Sequence, residues 1–265
     1  MTANIPITAY KMNCAFCSAR PLGLCGALGD GDGFRELRDS RRGARLLDAG
    51  SPIYRQGDPH GDLYNLVSGW VCLHQDLEDG RRQILRFILP GELFGQEPAG
   101  VSVMSHAAQA LTNISLCVIP VERVTDLRAR YAGFGDRFVW MLERDNHLTM
   151  DHLTSLGQRS AIERVAHLLL ELAVRTGRRY PLARDDRFKI PLTQPLIGDA
   201  TGLTPIHVNR MLRRLREERI LDLRNGALTI FDPDRLEAMV GPSDDLVRLW
   251  TRQAILDGLG ASEQL

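Results

Sequence analysis

One stretch constrains the fold more than any other: TQPLIGDATGLTPIHVNRMLRRLREERIL, residues 193–221. Thr193 and Thr204 are both good N-cap residues, and Pro205 takes the first helical position, where its missing N–H costs nothing. Gly202 marks the end of the first helix. We therefore predict two short helices joined by a glycine-containing turn, which is the helix-turn-helix pattern.

The next segment, ILDLRNGALTIF, predicts a β-hairpin beside this helix pair. It alternates apolar and polar residues around an Asn225-Gly226 pair, which favours a type I′ turn. A hairpin in that position is a wing. The caps, the proline and the wing together favour a DNA-binding motif over the alternative, a solvated basic face on an ordinary helix pair.

The second helix of the pair carries side chains suited to DNA. In such motifs its N-terminal residues meet base edges. Arg210 can bind guanine through O6 and N7, Asn209 can pair with adenine, and Ile206 can contact a thymine methyl. The arginines further along suit phosphates, which fix position without reading sequence. The full candidate DNA-binding set is Thr204, Ile206, His207, Asn209, Arg210, Arg213 and Arg216.

The distribution of charge agrees with an anionic partner for the C-terminal half. The whole chain has 33 Lys and Arg against 33 Asp and Glu, but residues 159–240 contain 15 basic and 11 acidic residues, a net charge of +4. Only such local excess steers a nucleic acid.

Residues 45–121 have a different pattern. Short apolar runs alternate with turn signals, which predicts an antiparallel sandwich or barrel-like roll. The turn signals are Gly57-Asp58-Pro59, Ser68-Gly69, Asp79-Gly80 and Pro90-Gly91. The Asp79-Gly80 pair predicts a tight hairpin.

Residues 134–156 follow a helical period with an a/d-like apolar seam. Polar residues also occur in this seam, and a polar group at a core position of paired helices fixes their register. The pattern favours a helix that pairs with a second chain, although a helix lying on the roll would also give it. The candidate dimerisation set is Phe138, Met141, Leu142, Asp145, Leu148, Thr149 and His152.

Three of the five cysteines lie in CAFCSARPLGLC, residues 14–25. The segment could bind a metal, close a disulfide or contain free thiols. The first ten residues do not resemble a secretory signal, and no uncharged apolar run approaches 18 residues, so we expect a cytoplasmic protein without a membrane partner. Disulfides are rare there, which disfavours that option. Gly26 would allow close backbone approach, and Cys72 alternates with apolar neighbours as a small buried residue does.

Taken together, these motifs resemble the CRP/FNR superfamily of bacterial transcription regulators over nearly the whole chain. GDLYNLVSGWVCLHQDLEDGRRQILRFILPGELFG is similar to the sensory β-roll of that family. The resemblance implies an α+β fold with an antiparallel, jelly-roll-like sensor domain, a long dimerisation helix and a C-terminal winged helix-turn-helix. It also implies a homodimer on a palindromic operator in double-stranded DNA, with RNA polymerase as a further partner, and no enzyme activity. The segments expected are 1–30 (cysteine-rich), 31–125 (roll), 126–157 (dimerisation helix), 158–240 (DNA-binding) and 241–265 (tail helix).

The resemblance also separates two branches of the family. The cyclic-nucleotide branch has a Glu and an Arg-Ser pair where this chain has Gln96 and Ser105-His106, so no cyclic nucleotide is expected. The oxygen-sensing FNR branch has three N-terminal cysteines and a fourth in the roll. Cys14, Cys17, Cys25 and Cys117 match it, which implies a [4Fe–4S] cofactor and control of anaerobic or microaerobic genes.

Alternatives stay open for these cysteines and for the signal. Soft sulfur ligands also select a structural zinc ion, and unligated thiols could act as a redox switch. A response to nitric oxide or through haem is a further possibility, and so is a regulator that has no ligand and is controlled by its abundance. The recognition helix departs from the FNR branch, because Ile206 and Asn209 stand where that branch has Glu and Ser, while Arg210 is retained. The FNR half-site is therefore not transferred.

Overall fold

The computed structural model describes residues 13–251. The parts of the predicted N-terminal segment and tail helix beyond those limits lie outside the described residues. The chain divides into two compact units. The first unit contains residues 13–81 and 86–143, and the second contains residues 82–85 and 144–251. Among the described residues, no helix is both long enough and apolar enough to cross a membrane.

Two antiparallel four-stranded sheets, with strand orders β1-β8-β3-β6 and β2-β7-β4-β5, make up the framework of the first unit, apart from residues 82–85 at the start of β5. Most strands bury one face or both, which explains their short alternating or continuous apolar runs. Gly80 adopts a φ of 83° in the turn between β4 and β5, as the predicted hairpin requires. The strands are β1 (Gly43–Leu47), β2 (Pro52–Tyr54), β3 (Asp62–Ser68), β4 (Val71–Asp76), β5 (Arg82–Ile88), β6 (Leu93–Phe94), β7 (Ala107–Ala110) and β8 (Ile114–Pro120).

Helical segments pack against the first sheet. Two 3₁₀ turns, Cys14–Phe16 and Leu24–Leu28, precede the helices α1 (Asp32–Ser40), α2 (Val121–Arg130) and α3 (Ala132–Gln158). A buried apolar cluster joins the N-terminal segment, the roll and the first half of α3. Its fully buried members include Leu24, Leu37, Leu63, Leu93, Ile119, Leu127, Phe134, Phe138 and Met141.

The second unit contains the helix-turn-helix and its wing. Strands β9 (Asp186–Lys189), β10 (Leu221–Arg224) and β11 (Ala227–Ile230) form a sheet with order β10-β11-β9. Both turn residues between β10 and β11 have positive φ, 51° at Asn225 and 69° at Gly226, which is the predicted type I′ turn. The helices are α4 (Ala161–Arg175), α5 (Gln194–Thr201), α6 (Pro205–Glu217), α7 (Pro233–Val240) and α8 (Asp244–Trp250). The predicted fold class is confirmed.

Candidate metal centre and nucleic-acid interface

The structure brings the four predicted cysteine ligands together. Cys14, Cys17, Cys25 and Cys117 all line one cavity of about 40 Å³, which we call the cysteine cavity. Its volume exceeds the 10–15 Å³ or so that a single water molecule needs. Cys72, in contrast, is fully buried inside the roll, as predicted.

Local backbone chemistry shapes the loop that carries three of these cysteines. The Asn13 side chain accepts a hydrogen bond from the Ala15 N–H (3.0 Å) and caps the first 3₁₀ turn. A Cβ atom at Gly26 would lie 2.7 Å from the Arg20 carbonyl oxygen and 3.1 Å from that of Pro21. The predicted close backbone approach at Gly26 is therefore confirmed. It brings the backbone next to Cys25 against the backbone of Arg20 and Pro21, so the loop folds back on itself.

Strand β8 supplies the fourth cysteine from the rigid roll. Cys117 is half-buried and lies between Leu116 and Val118, which point into the core. Since side chains alternate along a strand, Cys117 faces the opposite side of the sheet. Its cross-strand neighbours are Ala44 on β1 and Asn65 on β3.

Three guanidinium groups stand in the wall of the cysteine cavity. Arg20 pairs with Asp30 (2.7 Å), and Arg38 donates from Nε to Asp39 (2.7 Å). Arg41 donates from Nη1 to the sulfur of Cys117 at 3.4 Å. The wall thus places positive charge where thiolates would form.

Burial raises the pKa of two thiols of the cysteine cavity, those of Cys25 and Cys117. Burial, with the nearby Cys17, Cys117 and Cys14 thiols, raises the pKa of Cys25 to about 12. Burial also raises the pKa of Cys117, against the opposing effect of Arg41. A raised pKa disfavours the nucleophilic thiolate, so Cys25 and Cys117 are poor candidates for a reactive thiol switch. A metal would bind by displacing the protons of its thiol ligands.

A buried amide in the same wall lacks a partner. Asn65 is 4% exposed, and its Oδ1 has no hydrogen-bond partner among the described residues. A Cβ atom at Gly23 would lie 2.8 Å from that Oδ1, so the glycine makes room for the amide. Buried polar groups are rarely left unpaired. Four soft sulfur donors, a guanidinium and an unpaired amide fit an iron–sulfur cluster, and four sulfurs alone fit a tetrahedral zinc ion.

The cysteine loop also contacts the first half of α3. Leu24 packs in the cluster that contains Phe134, Phe138 and Met141. Arg137, only 1% exposed, donates from Nη2 to the Leu22 carbonyl oxygen at 2.8 Å. Any change in the order of the loop therefore acts directly on α3.

Helix α3 has two apolar faces. Three predicted dimerisation residues, Phe138, Met141 and Leu148, are buried within the chain. A second stripe, with the 3–4 spacing of paired helices, faces outward. It consists of the exposed Val139, Asn146, Thr149, Met150 and Leu153, of which Val139, Met150 and Leu153 are 42%, 57% and 70% exposed, and of the half-buried Leu142, which lies at its edge and also packs against the core cluster. The stripe includes Leu142 and Thr149 from the predicted set, and the half-buried Asp145 lies between the two faces.

His152 is engaged inside the second unit. Its Nε2 lies 2.5 Å from Glu171 Oε2, and Glu171 Oε1 accepts from Arg175 at 2.6 Å. His167 Nε2 lies 2.6 Å from Asp151 Oδ2. We call these residues the His152–Glu171 network. His152, His167 and Glu171 could in principle hold a metal ion, since their ligand atoms lie within 4.8 Å of one another. Each imidazole and carboxylate, however, already has a partner in the network.

The helix-turn-helix forms as its sequence predicts. The Thr193 and Thr204 side chains accept from the backbone N–H groups of Leu196 (3.4 Å) and His207 (3.3 Å). Gly202 ends α5 in the left-handed conformation. Gly198, which the sequence analysis did not single out, allows the turn to close, because a Cβ there would lie 2.5 Å from the Leu203 carbonyl oxygen.

The exposed face of α6 carries the predicted DNA-contacting side chains. Ile206, His207, Asn209, Arg210 and Arg213 are exposed, and Ile206 is 81% exposed although it is apolar. Arg213 pairs with Glu217 (3.3 Å) and the half-buried Arg216 with Asp222 (3.7 Å). Arg210 makes no ion pair with any residue in the part of the chain that the structure describes. Its guanidinium is therefore available to a base edge.

Two family models match separate parts of the chain. Residues 44–131 match the model of the cyclic nucleotide-binding domain, and residues 163–239 match the Crp-like helix-turn-helix domain. Transcriptional activator protein Anr of Pseudomonas protegens is 30% identical over 248 residues, which cover 92% of this chain and 99% of that protein. The chain belongs to the CRP/FNR superfamily of transcription regulators.

Similarity to other members of the CRP/FNR superfamily places the chain in the FNR branch. Transcriptional activator protein FnrA of Stutzerimonas stutzeri is 28% identical over 92% of this chain and all of that protein. The structure of FixK2 from Bradyrhizobium japonicum superposes with a TM-score of 0.68 at 27% identity, covering 76% of this chain and 98% of that one. This CRP/FNR protein is thus a DNA-binding, dimerising transcription regulator and not an enzyme.

Two groups around the cysteine cavity were missed by the sequence analysis. Asn65 interrupts the apolar run LYNLV of β3, and a polar residue at a buried strand position could have drawn attention to it. Arg41 lies in SRRGARLL, where nothing distinguishes it from its neighbours. Its contact with Cys117 depends on the fold.

Proposed function

We propose that this CRP/FNR regulator senses low oxygen through a [4Fe–4S] cluster held by Cys14, Cys17, Cys25 and Cys117. The observation that carries the proposal is their convergence: three cysteines of a short loop and one from β8 line a single cavity. Such a cluster supplies an oxygen-sensitive redox centre. As a homodimer, the protein would control anaerobic or microaerobic genes.

The chain's own contacts explain how the site would affect dimerisation. When the cysteine loop is ordered, the Leu22 carbonyl holds Arg137, and Leu24 completes the packing under Phe134 and Phe138. These contacts fix the first half of α3, whose outward stripe we assign to the dimer. If the loop opens, Arg137 loses a buried acceptor and α3 loses apolar cover.

Asp145 supplies a second control on the dimer. In a pair of α3 helices, two Asp145 carboxylates beside the seam would repel each other and make the monomer the default state. Asp145→Ala should therefore strengthen dimerisation of the cluster-free protein, with each 1.4 kcal/mol or so changing the dimer constant tenfold. An unchanged dimer constant in sedimentation equilibrium would remove Asp145 from the mechanism.

Cyclic nucleotides are not proposed as ligands. At the place of the family's phosphate-binding pair, the Ser105 N–H and hydroxyl both donate to Glu97 Oε1, at 2.7 and 2.8 Å. A carboxylate thus already occupies these donors and would repel a phosphate. Millimolar cyclic AMP should leave the melting temperature unchanged.

The first experiment is metal and sulfide analysis of protein purified without oxygen, with a visible spectrum before and after exposure to air. We expect about four irons and four sulfides per chain, and a broad band near 400 nm that bleaches in air. A colourless protein with one zinc per chain would replace the oxygen sensor by a structural metal site. The DNA-binding assignment would stand in either case.

The second experiment tests DNA reading on a palindromic operator selected from random sequences by the wild-type protein. Arg210→Ala should cost about 1–3 kcal/mol on that operator and relax its specificity. Arg213→Ala should weaken binding to all DNA sequences alike. It should also reduce the slope of the logarithm of the binding constant against the logarithm of the salt concentration by about 1. Equal losses on operator and unrelated DNA for Arg210→Ala would contradict base reading. RNA polymerase, the further partner proposed, is tested by co-purification on the same operator.

A further inference from the structure

We propose that Arg41 is a positioning residue that stabilises the metal-loaded cysteine cavity through Cys117. The proposal rests on the proposed function and deepens it, because it assigns a determinant of how long the site keeps its cluster in air. The geometry behind it is the hydrogen bond from Arg41 Nη1 to Cys117 Sγ, at 3.4 Å.

The charge balance of the cavity explains why such a donor is needed. Binding requires all four thiols to lose their protons, and four thiolates carry more negative charge than the bound metal group neutralises, in a wall that includes the apolar Leu24, Phe34, Leu37 and Ile119. Thiolates in apolar surroundings are costly unless paired or hydrogen-bonded. A cationic donor makes a stronger hydrogen bond than a neutral one, and hydrogen bonds to the sulfurs together with net charge set the potential of an iron–sulfur cluster.

Arg41 differs from the other guanidinium groups of the wall. Arg38 directs Nε and Nη2 to the two oxygens of Asp39, at 2.7 and 3.1 Å, and Arg20 pairs with Asp30. Arg41 also acts electrostatically on Asp39, but it directs Nη1 to the sulfur of a proposed ligand. Arg38 is therefore a matched control, since it has the same charge and lines the same cavity but donates to a carboxylate.

The position of Cys117 explains why its hydrogen bond with Arg41 can affect the whole site. Cys14, Cys17 and Cys25 belong to a loop with two short 3₁₀ turns, whereas Cys117 is fixed in β8 between β1 and β3. Arg41 immediately follows α1 and precedes β1. It therefore binds the anchored ligand from a neighbouring element, and it holds the Cys117 sulfur in one orientation.

The first test compares wild type, Arg41→Gln, Arg41→Lys and Arg38→Gln, each purified without oxygen. We expect cluster bleaching in air to be about tenfold faster in Arg41→Gln, and the midpoint potential to fall, because a positive charge and a hydrogen bond are lost. Arg41→Lys keeps the charge and should recover part of the lifetime. Arg38→Gln should stay within about twofold of wild type.

The second test uses Co²⁺ as the probe on the metal-free full chain, so that it does not depend on which metal the protein binds naturally. The thiolate-to-cobalt absorption bands report binding. The Co²⁺ dissociation constant should rise about tenfold in Arg41→Gln and by less than about twofold in Arg38→Gln. Circular dichroism checks that each variant is folded.

The outcomes separate this inference from the proposed function. If wild type holds four irons but Arg41→Gln matches it in bleaching and in Co²⁺ affinity, the role of Arg41 is wrong and the sensor stands. If Arg38→Gln is as impaired as Arg41→Gln, the impairment comes from the loss of any positive charge near the cavity and not from the hydrogen bond to Cys117. The inference is then overturned. If wild type contains only zinc, the sensor falls, and the Co²⁺ titration still decides the role of Arg41.

Discussion

The cysteine cavity and the His152–Glu171 network are both buried clusters of metal-binding residue types, yet their polar groups are in opposite states. In the network, each imidazole is paired with a carboxylate, and Glu171 accepts from both His152 and Arg175. In the cavity, the thiols surround an open volume, and the Asn65 Oδ1 is unpaired. Because buried polar groups are normally satisfied, the network is complete as it stands, whereas the cavity contains a buried amide oxygen without a hydrogen-bond partner among the described residues.

The strongest test of this contrast removes the anchored cysteine. Cys117→Ala should reduce the iron content from about four per chain to below one, because three loop cysteines cannot complete the ligand set. Metal analysis of protein purified without oxygen measures the change. Cys72→Ala is the matched control, since Cys72 lies buried in the same roll but away from the cavity. Iron loss in both variants would mean that the roll, rather than the ligand, had been damaged.

The corresponding test of the network removes its central charge. Glu171→Gln leaves His152 and the 3%-exposed Arg175 without their buried counter-charge and should destabilise the protein by about 3–5 kcal/mol. Urea denaturation of the metal-free chain measures this. The control Glu217→Gln removes an exposed partner of Arg213 on α6 and should cost no more than about 0.5 kcal/mol. Similar small losses in both variants would show that the network does not stabilise the second unit.

The network should also make stability depend on pH. Burial alone would lower the pKa of His152, but the adjacent Glu171 carboxylate outweighs burial and raises it. The stabilisation from a raised histidine pKa is complete below its usual value, near 6.5, and is lost as pH rises through the folded-state pKa. Burial would raise the pKa of Glu171, but His152 and then Arg175 lower it, so its contribution is lost only in acid.

The pH effect is measured as the difference between wild type and His152→Gln in urea denaturation from pH 5 to pH 9. The difference should shrink at alkaline pH, by about 1.4 kcal/mol for each unit of pKa shift. His207→Gln, which alters an exposed residue of α6, should follow wild type throughout. A constant difference across the range would mean that His152 is not charged in the folded protein.

The smallest expected effect concerns the unpaired amide. Asn65→Leu replaces it with an apolar group of similar size and breaks no hydrogen bond between described residues. The metal-free protein should be unchanged or more stable by about 1 kcal/mol, whereas the cluster should bleach faster in air. A gain in the stability of the metal-free protein together with faster bleaching of the cluster would show that the Asn65 amide serves a ligand and not the fold. A loss of metal-free stability would instead make Asn65 a structural residue.

The sequence predicts the parts of the fold that local chemistry determines. The caps at Thr193 and Thr204, the left-handed Gly202 and the Asn225-Gly226 turn each depend on neighbouring residues, and all four are observed. The convergence of the cysteines followed from the family resemblance. It could not be obtained from periodicity, because it depends on the register of β8 with β1 and β3.

The faces of α3 show where sequence reasoning stops. Both faces are apolar, and the seam chosen from the sequence combines Phe138 and Met141, which pack inside the chain, with Thr149 from the outward stripe and with Leu142, which lies at the edge of that stripe and also packs against the core cluster. A helix that must bury one face against its own roll and another against a partner gives two overlapping periodic signals. Only the packing separates them.

The placement of Cys117 on β8 affects how reversible the proposed switch would be. Three of the proposed ligands lie on a short loop and the fourth on the framework of the roll, so release of the loop would be a local opening that leaves both sheets paired. Local openings need much less free energy than global unfolding and close again quickly. Under the proposed function, a regulator built this way would lose and regain its cofactor while the sheets of the roll stay paired, so one molecule would serve many cycles of aeration.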